Sequence, residues 1–455
     1  MSSTLSRIPS DAELFQWDRE HYWHAFTQMA EYEPLVIERA ESAFLYTSDG
    51  RKLLDGCSSL WCNVHGHAHP KIDAAIQEQL GKVAHVTSLG VSNPTAIQLA
   101  RKLADVTPNR LECVFFSCDG SSAVEAGLKL AFQYWRQCDA PQPQRDLYLA
   151  LGNSYHGDTL GSVSVGGVSR FHAMFAPLLF DVVHGPCPDT YRCPDGLSDA
   201  ELAEHYLSEY RKLFEQFGDR LAAVVVEPLV QGAAGMVMHP PGFLKGMREL
   251  ADQSGTLLIA DEIAVGMGRT GTLWACEQEG VAPDILCTAK GLSGGYLPMA
   301  ATVTTRKIWN AFLGEYSESR SFFHGHTYGG NPLGAAAALA TLEVFEEEKT
   351  LDRVQELSDV FRELLRPLAE HQHVGDVRTS GLIAAVELVQ DKQSKAGYPW
   401  SDRKGYELCD ALMEKGVWLR PIGNVVIAMP PLCCDETHLE QLAEALRFGL
   451  QQVSW

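Results

Sequence analysis

The sequence predicts an α/β fold built on a mostly parallel sheet, and three observations carry that reading. Short apolar runs recur along the chain with helix-like stretches between them: Cys113 to Phe116, Leu147 to Leu151, Ala222 to Val226, Leu257 to Ala260 and Asp284 to Ala289. Runs that lack polar alternation suit strands covered on both faces, as crossover helices cover a parallel sheet. Four of the runs lead into a chemically distinctive residue, namely Tyr155, Glu227, Asp261 and Lys290. In a parallel sheet those carboxyl ends share one edge, where open α/β sheets hold ligands. Finally, 45% hydrophobic content in 455 residues is enough for one large core and a smaller second one.

Taken in order, residues 1–75 read as an N-terminal arm and part of a smaller domain, with a short antiparallel region at Leu35 to Arg39, Ala43 to Tyr46 and Lys52 to Leu54. Residues 76–330 read as the large α/β domain. A long helix is expected to open at Asn331 as N-cap with Pro332 in its first turn, and to run along an alanine-rich face. Residues 331–455 comprise that helix and a smaller α+β domain. Its last helix repeats Leu439, Leu442, Ala443, Leu446 and Leu450 on one face. The polar, turn-rich stretch 390–400 is expected to be a mobile loop.

The chemistry is concentrated at the strand ends. Lys290 leaves an apolar run and enters Gly291-Leu292-Ser293-Gly294-Gly295, which points its amine into a cavity. A lysine able to form a Schiff base, with an aspartate at the end of a neighbouring strand, is what pyridoxal phosphate (PLP) requires: the lysine holds the aldehyde and the aspartate pairs with the pyridinium nitrogen. Gly120, Ser121 and Ser122 follow the run 113–116 and open a helix marked by Val124, Leu128, Ala131 and Trp135. Free N–H groups and the dipole at such an N-terminus attract a phosphate, although a capped helix without ligand has the same pattern. Tyr155 stands where an aromatic can lie on a cofactor ring, or simply pack. Glu227 ends its strand before Pro228, which stops the ladder.

The stretch Leu258 to Gly271, then Ala282-Pro283-Asp284-Ile285, Lys290-Gly291, His324 to Tyr328 and Asn331-Pro332, resembles the class III (ω-) aminotransferases of PLP fold type I, over nearly the whole chain. The resemblance implies that Lys290, Asp261 and Tyr155 are catalytic: Lys290 as Schiff-base lysine and proton shuttle, Asp261 at the pyridinium nitrogen, Tyr155 stacked on the ring. It places Gly120, Ser121 and Ser122 on the phosphate, and His156, Glu227 and Ile263 beside the cofactor. Thr327 would reach the phosphate from a neighbouring subunit, so a homodimer with shared active sites is expected. Arg420 would grip a distal carboxylate, which a guanidinium fork suits. Trp61, Leu60 and Phe26 would line the substrate side with Tyr155 and Lys290.

Within the family, Trp23 to Met29, Asp55 to Trp61, Asn153 to Asp158, Leu419-Arg420-Pro421 and Met429-Pro430-Pro431 resemble the branch that aminates the keto acid 8-amino-7-oxononanoate to 7,8-diaminononanoate in biotin synthesis. Three positions differ from members that take the amine from S-adenosylmethionine. Phe26 replaces a tyrosine, Leu60-Trp61 replaces a tryptophan pair, and His326 replaces a proline. These changes resemble members that use lysine as donor. Other ω-amino acid or diamine transaminases working with 2-oxoglutarate or pyruvate, and an intramolecular aminomutase, are the alternatives.

A net charge of −21 argues against nucleic acid and anionic membrane surfaces as partners. No apolar run is long enough to span a bilayer, and Met1 to Arg7 lacks the apolar core of a secretory signal. Twelve cysteines without a short-domain framework read as free thiols in a reducing cytoplasm. No metal is expected. His65, His67 and His69 alternate onto one face of an extended segment but lack a distant partner ligand. Gly266 to Gly271 misses the dinucleotide spacing and reads as a flexible turn near the cofactor.

Overall fold

The computed structural model describes residues 9–108 and 111–455. The stretch Met1 to Arg7 lies outside the described residues. A seven-stranded sheet forms the centre, in the order Leu111–Ser117, Ala300–Thr305, Ile285–Thr288, Leu257–Asp261, Leu221–Val226, Leu147–Ala150 and Val183–His184. All neighbours pair in parallel except Ala300–Thr305, which runs antiparallel to both of its partners.

The apolar runs form this sheet because both of its faces are covered. Alternate side chains of one strand enter two different cores. Val224, Leu258, Leu286 and Val303 point to one side, where they join Phe214, Phe243 and Met247 of the helices Asp199–Phe217 and Phe243–Ser254. Ala223, Val225, Ile259 and Cys287 point to the other side and meet Ala123, Val124, Leu128 and Ala131 of the helix Gly120–Gln137. This period-two division fixes the register, since a slip by one residue would send every side chain to the wrong core. Asp261 is thereby paired with Cys287, and Ala260 with Val226.

The remaining strands make two smaller four-stranded sheets. One is antiparallel, in the order Val374–Ser380, Ile383–Leu388, Val425–Ala428, Arg420–Ile422. The other joins Ile37–Glu41, Phe44–Thr47 and Lys52–Asp55 to Val417–Trp418, which pairs in parallel with the third strand. The sequence placed the first of these strands two residues early. Its side chains are mostly exposed, so no apolar signal marks its ends.

The helix Pro332–Glu347 is capped by Asn331, whose side-chain oxygen accepts from Gly334 N at 2.7 Å. Residues 390–400 are tied down by an isolated bridge between Asp391 and Ala396 and by Lys395 Nζ, which donates to Tyr191 O at 2.8 Å. All twelve cysteines are free thiols.

Leu258 is fully buried in the strand that carries Asp261. Leu258→Ala is expected to cost about 2–5 kcal/mol of stability through lost transfer energy and the cavity left behind, read as a lowered denaturant midpoint.

Candidate active site

A cavity of about 520 Å³ lies at the carboxyl edge of the central sheet. Its walls bring together Trp61, Gly120, Ser121, Tyr155, His156, Glu227, Asp261, Ile263 and Lys290. That volume suits a cofactor-sized ligand.

Asp261 ends its strand 4% exposed, with Oδ1 accepting from Ile263 N at 3.1 Å and Oδ2 lying 2.7 Å from Nδ1 of the buried His156. Burial pulls the His156 pKa down, but the Asp261 hydrogen bond and charge, with Glu227 behind them, carry it above the usual histidine value. Nε2 of His156 has no partner among the described residues. Glu227 holds the chain around the site: Oε1 accepts from Tyr155 N and Oε2 from Gly232 N, each at 2.9 Å. Burial pushes its pKa up to about 7, against the pull of His156 and the two N–H groups.

Tyr155 is oriented from its far end. Its hydroxyl donates to Asp158 Oδ2 at 2.7 Å, and its ring stacks on His172 at 6.2 Å between centroids, 17° from parallel. Burial, then the Asp158 bond, raises its pKa, so the phenol keeps its proton. Asp158 N donates to Ser121 Oγ at 3.2 Å and so ties this segment to the helix Gly120–Gln137.

At that helix's N-terminus, Asp119 caps Ser122 N through Oδ1 at 2.9 Å, and its carbonyl accepts from Ala123 N. The N–H groups of Gly120 and Ser121 remain outside the helical ladder and border the cavity. A Cβ at Gly120 would sit 2.9 Å from Ile263 Cδ1, and one at Gly157 would run into Ser121 Oγ. Only glycine leaves that corner open.

Lys290 begins a short 3-10 turn with φ at 45°. Burial lowers its pKa below the usual lysine value, opposed by Cys62, Asp261 and Glu227. Its Nζ lies 5.0 Å from the centre of the Trp61 ring, in cation–π range. Trp61 reaches this place through an unusual backbone: Ser58, Ser59, Leu60 and Trp61 have φ of 47°, 41°, 65° and 73°. A left-handed conformation costs roughly 1–2 kcal/mol for each non-glycine residue.

Five of the residues singled out from sequence are not cavity walls. Ser122 is buried, with Oγ donating to Asp119 Oδ2 at 2.8 Å. Thr327 is exposed. Leu60 and Phe26 are 47% and 58% exposed. Arg420 Nη2 donates to Phe26 O at 3.2 Å. Sequence reasoning missed Asp119, Cys62 and the run Tyr296 to Met299, which line the cavity. The glycine-rich turn after Lys290 was the available signal for that run. It missed His172 too, because nothing marks a ring that stacks across a loop.

The histidine run does not present three rings on one face. His65 Nε2 lies 3.0 Å from Thr341 O, His67 Nε2 lies 2.9 Å from Asp55 Oδ2, and His69 Nε2 lies 3.0 Å from Glu348 Oε1. The chain turns at Ala68, where φ is 51°. Among the described residues no group of three histidine, cysteine or acidic side chains could hold a metal ion. Gly266 to Gly271 lies outside the cavity walls: Arg269 in its middle is buried and donates through Nη1 to Pro430 O at 2.6 Å.

The family model for class III aminotransferases matches residues 27–449, and the chain belongs to this family of PLP-dependent enzymes that transfer nitrogenous groups. A relative from Nitratidesulfovibrio vulgaris Hildenborough, an adenosylmethionine-8-amino-7-oxononanoate aminotransferase, is 50% identical over 97% of this chain and 82% of its own length. The crystal structure of the enzyme of that name from Methanocaldococcus jannaschii superposes with a TM-score of 0.92 at 41% identity, covering 98% of this chain and all of the other. An (S)-enantioselective ω-transaminase from Thermomicrobium roseum is also similar, with a TM-score of 0.94 at 32% identity, covering 98% and 99% of the two chains. The cavity fits PLP by its own features: an open glycine corner at a helix N-terminus, a buried aspartate backed by histidine, and a buried amine with a lowered pKa.

Because the Glu227 pKa is raised on folding, the stability of its neutral form is complete below the unfolded pKa of about 4.3 and lost as pH rises through about 7. Denaturant titrations of cofactor-free protein should therefore show a fall in stability between about pH 4.3 and about pH 7 that levels off above it, and Glu227→Gln should reduce that fall. An equal fall in both proteins would contradict this.

Proposed function

We propose that this chain transfers an amino group to 8-amino-7-oxononanoate to give 7,8-diaminononanoate, a step of biotin synthesis, with S-adenosylmethionine or lysine as donor. The observation that carries this reading is the 50% identity over 97% of the chain to a relative named for that reaction. A different ω-transaminase activity is the second reading, favoured by the close fold match to the Thermomicrobium enzyme but at the lower identity of 32%.

PLP supplies an electron-accepting ring when bound. Asp261, held by His156, would face its ring nitrogen, Tyr155 would lie against the ring, and Gly120 and Ser121 would hold the phosphate through N–H groups. Lys290 Nζ, with a pKa lowered by burial, is a base that can take a proton from the substrate carbon and return it. Arg420, whose guanidinium donates to the Phe26 carbonyl, would bind the distal carboxylate.

The reading extends to a homodimer with shared sites. Thr327 is exposed and outside its own subunit's cavity, as a residue serving a partner's phosphate site would be. Leu80, Leu89, Val91, Phe323 and Tyr328 add exposed apolar surface of the kind that subunits cover. A place in the cytoplasm is supported by the free thiols. Among the described residues no helix is long and apolar enough to cross a membrane.

The direct test is a pair of half-reactions on PLP-loaded protein. Lysine or S-adenosylmethionine should discharge the cofactor absorbance, and 8-amino-7-oxononanoate should restore it. Restoration by 2-oxoglutarate alone would favour the second reading. Lys290→Ala should keep cofactor binding and lose turnover by at least about a thousandfold. Mixing Lys290→Ala with Thr327→Ala subunits should recover activity that neither has alone; failure to complement would remove the shared-site arrangement.

A further inference from the structure

The left-handed turn at Ser58–Trp61 carries Trp61 over the Lys290 amine, and one side chain holds it there. Asp55 ends the strand Lys52–Asp55 with its carboxylate fully buried. Its Oδ2 accepts from Ser59 N at 2.7 Å and from Ser59 Oγ at 2.8 Å, and it lies 2.9 Å from His67 Nε2. Three polar atoms converge on Oδ2, while Oδ1 has no partner among the described residues, so those three contacts carry the whole compensation for burying the carboxylate. The other end of the turn is tied to a distant strand, with Ser58 Oγ donating to Met429 O at 2.6 Å and Met429 N to Gly56 O at 2.7 Å.

We propose that Asp55, seated by His67, is a positioning residue for substrate binding: it pins Ser59 in the left-handed region and so sets the height of Trp61 above Lys290. The left-handed region disfavours any residue with a Cβ, so four such residues in sequence persist only when their surroundings over-determine them. Ser59 is exposed, and both its N–H and its hydroxyl are bonded to Asp55. The bonds to Asp55 hold Ser59, as the Ser58 bond to Met429 O and the packing of Trp61 hold the two ends of the turn. The inference rests on the reading that Trp61 and Lys290 face the substrate.

Ser59 gives a test that does not threaten the fold, because its side chain is exposed. Ser59→Ala removes one bond to Asp55 and keeps the Cβ penalty. Ser59→Gly removes the same bond but takes positive φ freely. In PLP-loaded enzyme, Ser59→Ala is expected to raise KM for the keto acid about threefold or more with cofactor affinity unchanged. Ser59→Gly should stay closer to wild type. Asp55→Ala should lower kcat/KM at least tenfold, and adding Ser59→Gly to it should recover part of that loss, which replacing a purely electrostatic role of Asp55 would not do. Ser59→Gly performing no better than Ser59→Ala would overturn the proposal, and so would wild-type kcat/KM in Asp55→Ala. Should Asp55→Ala fail to fold, the Ser59 pair alone decides. If Lys290→Ala keeps its turnover, the underlying site reading fails instead, so the two failures are distinct.

Discussion

The central constraint is the burial of both faces of the seven-stranded sheet. Each strand contributes alternate side chains to two separate cores, so its register cannot slip without placing apolar groups on the wrong side. Once register is fixed, the ends of the strands are fixed too. Asp261 lies beside Cys287, three residues short of Lys290, while Val226 stands beside Ala260 and leads directly to Glu227. The functional groups meet because the apolar residues before them have nowhere else to go. Cofactor geometry here is a by-product of core packing.

A second level of order lies in how the site's charges are managed. Lys290, Asp261, Glu227 and His156 share a small buried volume, and their pKa shifts oppose one another. Burial favours the neutral forms of Lys290 and Glu227, while the Asp261–His156 contact favours a charged histidine. An amine whose pKa burial lowers is the kind of base that proton transfer near neutral pH requires. Glu227 adds a structural role, since its two oxygens close the loop that presents Tyr155.

Much of this was legible in the sequence. The apolar runs, the glycine corner at Gly120, the Asn331 cap and the strand-end residues all carry local signals that survive into the fold. Residues whose placement depends on distant contacts were less legible. Asp55 shows no pattern that announces four left-handed residues downstream, because the strain is held by His67, twelve positions along in sequence, and by the Met429 carbonyl. The histidine run invited a metal reading because alternation assumes an extended chain, and the turn at Ala68 removes that assumption. Thr327, Phe26 and Arg420 were named by family likeness, and a single chain leaves them away from the cavity walls.

The strand Lys52–Asp55 pairs with Val417–Trp418, and Ser58 bonds to Met429. The left-handed turn is thus held by residues nearly at opposite ends of the polypeptide. On a ribosome adding about 5–20 residues per second, the second half of that clamp emerges on the order of tens of seconds after the first. The central sheet is complete by Thr305, well before this. A nascent chain can therefore form the strands of the central sheet while the turn that carries Trp61 is still unclamped. Loss of the last few dozen residues would leave a protein with its cradle strands intact and no fixed position for Trp61.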